Sequence, residues 1–136
     1  MIGIIIVSHG KLGQGLIESA EIILGRKKNI VALPLSGETE LIEQMRNKLV
    51  EEIDKIDEGQ GVVLLTDLFG GTPCNLSLSI LGVRRIEIIA GVNLPIVLKL
   101  LTVRDSYPNI DLNDACILAE KSGKKQISIA SHLIAS

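Results

Sequence analysis

Aromatic residues are nearly missing from this chain of 136 residues, which has one Phe, one Tyr and no Trp. Bases would find no stacking platform. With 14 Lys and Arg against 16 Asp and Glu, there is also no basic stripe to track a phosphate backbone, so nucleic-acid binding is not expected. Cysteine is scarce too. Cys74 and Cys116 show no C-x-x-C spacing, provide no disulfide framework, and read as small buried apolar residues. Mean hydropathy is high, at +0.40. Even so, no apolar run approaches the ~18–20 residues that a spanning helix needs. The start, Met1-Ile2-Gly3-Ile4, carries no positively charged segment of the kind that opens a signal peptide. The expectation is a cytoplasmic protein.

What the chain does have is aliphatic residues and glycine. Hydrophobic residues make up 46% and there are 13 glycines, a composition suited to an α/β protein with a buried parallel sheet. The length fits one domain spanning 1–136. The continuous apolar run at 2–8 and the apolar-rich segments 30–34, 62–66 and 85–90 read as strands. Helices are expected near 13–24, 38–56, 73–81, 94–104 and 112–121. The clearest is 38–56, where Leu41, Ile42, Met45, Leu49, Ile53 and Ile56 form an apolar stripe. Residues 126–134 read as a candidate fifth strand, in which Ile127, Ile129 and Leu133 alternate on one face and Ser131 interrupts it. Right-handed crossovers then give an open parallel sheet with helices on both faces, and the common doubly wound pattern would order its strands 2-1-3-4.

In such a sheet, ligands and chemistry gather at the carboxyl ends of the strands, where the strand order reverses. Strand one ends in Ser8-His9-Gly10 and strand three ends at Asp67, so this order makes His9 and Asp67 neighbours. A carboxylate that accepts from one imidazole N–H fixes the tautomer and leaves the other nitrogen as a nucleophile. The competing reading is a purely structural hydrogen bond. His132, the only other histidine, has no Cys or His cluster nearby and reads as structural or surface. No metal site is evident.

The segment Phe69-Gly70-Gly71-Thr72-Pro73 strengthens an anion reading. Its glycines let backbone approach a ligand. A helix opening at Pro73 would direct free N–H groups the same way. Thr72 would either cap that helix or donate its hydroxyl to an oxyanion. The alternative is a tight strand-to-helix turn. Gly10, Gly13 and Gly15 give G-x-x-G-x-G, which is not the dinucleotide fingerprint, and there is no P-loop.

Three motifs in order carry a resemblance over nearly the whole chain. Ser8-His9-Gly10, Asp67-Leu68-Phe69-Gly70-Gly71-Thr72-Pro73-Cys74-Asn75 and Ala90-Gly91-Val92-Asn93-Leu94-Pro95 resemble the mannose-family IIA component of the bacterial sugar phosphotransferase system. The resemblance implies a phosphotransferase without cofactor or metal. His9 would accept a phosphoryl group on Nε2 from the phosphohistidine of HPr, and Asp67 would hold Nδ1. The sugar-specific IIB component would then receive the group, upstream of the membrane components IIC and IID. Phe69, Gly70, Gly71 and Thr72 would border the phosphoryl group, with Ser8 and Asn93 at the edge of the site. Relatives often carry serine at the Thr72 position, and many fuse IIB through a linker that this chain does not show. The resemblance also implies a homodimer that exchanges its last strand, and peripheral attachment to the membrane through the transporter. Two rivals are the IIA-like subunit of a dihydroxyacetone kinase complex and a non-catalytic α/β regulator that binds an anion.

Overall fold

Four strands alternate with helices as the apolar runs require. A computed structural model describes residues 1–35 and 41–134. The strands are β1 (Gly3–His9), β2 (Ile30–Leu35), β3 (Val62–Thr66) and β4 (Ile86–Ala90). The helices are α1 (Leu12–Leu24), α2 (Ile42–Ile56), α3 (Thr72–Leu78), α4 (Leu94–Ser106), α5 (Leu112–Lys125) and α6 (Ala130–Ile134). The sheet is parallel throughout, in the order β2-β1-β3-β4.

The two inner strands explain the Ile- and Val-rich sequence. Ile4, Ile5, Ile6, Val7 and Val62 to Leu65 are all fully buried. Successive side chains enter opposite cores. Ile4, Ile6, Val63 and Leu65 meet α1, α4 and α5, while Ile5, Val7, Val62 and Leu64 meet α2 and α3. Each fully buried aliphatic side chain contributes about 1.5–3 kcal/mol, and this holds the strand ends in fixed register. Gly13 allows α1 to lie close on the sheet, since a Cβ there would come within 3.2 Å of Ile6 and Ala32. Pro34 is accommodated inside β2 because β2 is an edge strand.

Several expectations need correction. In α2 the buried stripe is Met45, Leu49, Ile53 and Ile56, whereas Leu41 and Ile42 are 67% and 68% exposed. They sit at the helix start, beyond the reach of the sheet. The expected helical residues 38–40 lie outside the described residues. Helix α5 runs a turn further than expected, to Lys125.

The fifth strand over 127–134 does not form in the single chain. Instead, Ala130–Ile134 make a short helix with no buried residue. Among the described residues no strand pairs with this segment, so its backbone bonds locally, as in His132 N–H to Ile129 O at 2.9 Å. The outer edge of β4 is likewise unpaired among the described residues. Cys74 and Cys116 are buried and free, as expected.

Candidate functional site

The register places His9 as the last residue of β1, opposite Leu35 of β2. One strand over, Thr66 closes β3 and Asp67 follows it. The order expected from the sequence therefore brings together two residues 58 positions apart. His9 Nδ1 lies 2.6 Å from Asp67 Oδ2, and the His9 backbone N–H donates to the same oxygen at 2.9 Å. The Leu68 N–H donates to Asp67 Oδ1 at 2.9 Å. The carboxylate is thus held from both oxygens, and its side chain is only 10% exposed. Burial alone would raise its pKa. The hydrogen bonds from the His9 N–H, the His9 ring and the Leu68 N–H outweigh that burial and hold it below the usual carboxylate range.

An ionised carboxylate only accepts, so Nδ1 must carry the proton. In the neutral ring the lone pair then sits on Nε2. The His9 side chain is 52% exposed, so this nitrogen belongs to a half-open ring at the surface rather than to the core.

The glycine loop abuts the same ring. Gly70 has φ +87°, a conformation that favours glycine. Gly71 has ordinary extended backbone, yet a Cβ there would stand 3.3 Å from His9 Cε1. Its lack of a side chain leaves the imidazole edge clear. Asn75, which sequence reasoning quoted only as part of a motif, donates from Nδ2 to Gly70 O at 3.3 Å and ties the loop to α3. Thr72 is the exposed first residue of α3. Gly71 takes the N-cap position and no side chain caps the helix, so the Thr72 hydroxyl does not cap it.

Leu68 and Phe69 are 51% and 79% exposed. Leu12, Leu41 and Ile42 are exposed where α1 and α2 begin. Because every strand is parallel, these helix starts and loops follow the strand ends at the sheet edge that carries His9.

Ser8 and Asn93 have other partners. Ser8 is buried beneath His9, and its Oγ accepts from the Gly13 N–H at 3.1 Å, closing the β1–α1 turn. Asn93 caps α4, accepting from the Ile96 N–H at 3.0 Å and donating to Gly123 O at 3.1 Å. It lines a groove of about 310 Å³ along β4 and α5 and does not join the His9–Asp67 pair. His132 lies exposed on α6. Among the described residues, no group of three or more His, Cys, Asp or Glu side chains is arranged to hold a metal.

Comparison with known proteins gives a consistent picture. The family model for EIIA-man, described as the PTS system fructose IIA component, matches residues 3–114. The chain is 38% identical over 114 residues to the PTS system fructose-specific EIIA component of Bacillus subtilis, spanning 82% of this chain and 77% of that one. It is 32% identical over 128 residues to the PTS system mannose-specific EIIAB component of Escherichia coli K12, spanning 93% of this chain but 38% of that protein. Among solved structures, phosphotransferase system component EIIA from Streptococcus agalactiae superposes with a TM-score of 0.83 at 29% identity, covering 97% of this chain and 99% of the other. The PTS IIA protein associated with the fucose utilization operon of Streptococcus pneumoniae gives 0.79 at 28%, covering 96% and 95%.

Proposed function

The chain belongs to the mannose-type IIA components of the sugar phosphotransferase system, and from that premise we propose that His9 is its phosphoryl carrier, charged by phospho-HPr and discharged to a IIB component. The observation that carries this reading is the contact of His9 Nδ1 with Asp67, which leaves the Nε2 lone pair available. Attack by Nε2 on phosphorus forms the new N–P bond as the donor's N–P bond breaks, and the donor imidazole keeps that electron pair. The Nδ1 proton stays on the Asp67 hydrogen bond, where the carboxylate balances the positive charge that the ring acquires in the transition state. Transfer to IIB is the same displacement run in the other direction. Such a step needs little beyond positioning and charge stabilisation.

Backbone N–H groups of Gly70 and Gly71, with the Thr72 hydroxyl, are assigned to the phosphoryl oxygens, and Phe69 to the rim. Exposed Leu68 and Phe69, which directly follow Asp67, support a protein donor and acceptor, since they suit a docked surface better than a small ion. Residues 1–136 act as one IIA-type domain in the cytoplasm, reaching the membrane only through the transporter.

A homodimer belongs to the same reading. Ile127, Ile129, Leu133 and Ile134 are 62–87% exposed, and among the described residues the outer edge of β4 is unpaired. The tail of one copy would add antiparallel to the partner's β4, and light scattering on the purified chain should give twice the chain mass.

Intact mass measured after incubation with phosphoenolpyruvate, enzyme I and HPr tests the carrier. One acid-labile phosphoryl group is expected on the native chain and none on His9→Ala. Anion binding without covalent phosphorylation would instead mark a regulator.

A further inference from the structure

Asn93, at the expected site edge, has its side chain committed elsewhere, and its bonds lead back to the site. Its Oδ1 satisfies the first turn of α4 through the Ile96 N–H. Its Nδ2 satisfies Gly123 O, a carbonyl in the last turn of α5. The Ile127 N–H, which would continue the helical ladder to Gly123 O, bonds Lys124 O instead. One amide therefore closes two helix ends. The approach depends on glycine: a Cβ at 123 would lie 2.4 Å from Ile96 Cγ1 and 3.2 Å from Asn93 Oδ1.

The two residues before Asn93 hold β3. Both the Gly91 and Val92 N–H groups donate to Thr66 O at 3.0 Å, and Thr66 is bonded covalently to Asp67. From α5 to the imidazole the path is continuous. It runs through Gly123 O, the Asn93 amide, the Gly91–Val92 backbone, Thr66 O and Asp67 to His9 Nδ1.

We propose that Asn93 is a positioning residue for phosphoryl transfer, fixing the β4–α4 loop and through it the end of β3 from which Asp67 reaches His9. The proposal rests on the carrier reading above. It separates two jobs of one side chain: capping α4 is structural, whereas the tie to Gly123 sets where Asp67 stands.

Asn93→Ser keeps a capping oxygen but is too short to reach Gly123 O. Asn93→Asp keeps the cap and its charge favours a helix N-terminus, but it has no proton to donate. Two readouts are taken on both variants and the native chain: the ¹⁵N resonances of the His9 ring, which report its tautomer and its bond to Asp67, and the rate of phosphorylation by phospho-HPr. Both variants are expected to fold, to show displaced Nδ1 and Nε2 resonances, and to be phosphorylated about tenfold more slowly, short of the ~100-fold that a 1 Å misplacement costs. Native ring resonances and native rates in both would overturn the proposal, even with a lowered melting temperature. If Asn93→Ser fails to fold, Asn93→Asp decides alone. If the native chain takes no phosphoryl group, the carrier reading fails and the ring resonances still decide whether Asn93 positions the pair.

Discussion

Replacing Asp67 by Asn removes one charge and turns one acceptor into a donor, at a side chain whose two oxygens receive three N–H groups. With the amide nitrogen at the Oδ2 position, it faces the His9 backbone N–H and the protonated Nδ1. In the flipped orientation it faces the Leu68 N–H. Every orientation sets one N–H against another. A hydrogen bond to a charged group contributes about 1.5–3 kcal/mol. The ring is 52% exposed, so water competes and the lower end, about 1.5 kcal/mol, applies. That corresponds to roughly tenfold in rate. Asp67→Asn should therefore be phosphorylated by phospho-HPr at least about tenfold more slowly while melting as a folded protein. A folded variant working within about twofold of the native rate would refute the orienting role. Acid offers a second check. The folded-state pKa of Asp67 is lowered, so its stabilisation is present above the unfolded value and is lost as pH falls through the folded one, a window below about pH 4. Asp54, held low by Arg84, shares that limb. Melting curves of native and Asp67→Asn chains should therefore converge as pH falls from 5 to 2, both figures being approximate.

Gly71→Ala suits the local backbone, with φ −79° and ψ 171°, but puts a methyl 3.0 Å from Cδ1 of the exposed, adjustable Leu68 and 3.3 Å from His9 Cε1. A native melting temperature with slowed phosphorylation is expected, and an unchanged rate would mean that the ring edge has room to spare. Arg104 is 4% exposed and its guanidinium donates to the carbonyls of Ile2, Asn29 and Lys28. Arg104→Met should lower unfolding free energy in urea by about 3 kcal/mol through unpaired carbonyls, and an unchanged midpoint would refute the clamp. Burial, with Glu87 and Asp111 adding to it, pushes the Cys116 thiol up to about 12. Alkylation at about pH 8 should spare Cys116 in the native chain and label it readily in urea.

Local signals carried much of the architecture. Apolar runs located all four strands, β4 even with Glu87 inside it, and the common doubly wound pattern supplied their order. That order brought His9 to Asp67, because in a parallel sheet the ends of neighbouring strands share one edge. What escaped the sequence depends on distant partners. Arg104 bonds carbonyls more than 70 residues away, and no local pattern distinguishes it from a surface arginine. Gly123 resembles a helix stop at residue 121, yet it lies inside α5 because Ile96 packs against its bare Cα. Leu41 and Ile42 continue the helical period of α2, but that period carries no information about where the sheet ends. The tail at 127–134 has a strand's alternation, but among the described residues no strand lies beside it.

The separation of 58 residues between His9 and Asp67 makes the pair, and with it the proposed nucleophile, a product of folding rather than of local sequence. Joining β1 to β3 requires α1, β2 and α2 to be laid down between them, and such distant parallel pairing is slow relative to local helix formation. A nascent chain shorter than 67 residues carries the histidine but lacks the carboxylate that sets its tautomer. On the carrier reading proposed above, phosphorylation of His9 would serve as an assay of completed folding. A chain that forms its helices without registering its sheet would look helical in the far ultraviolet and remain unreactive.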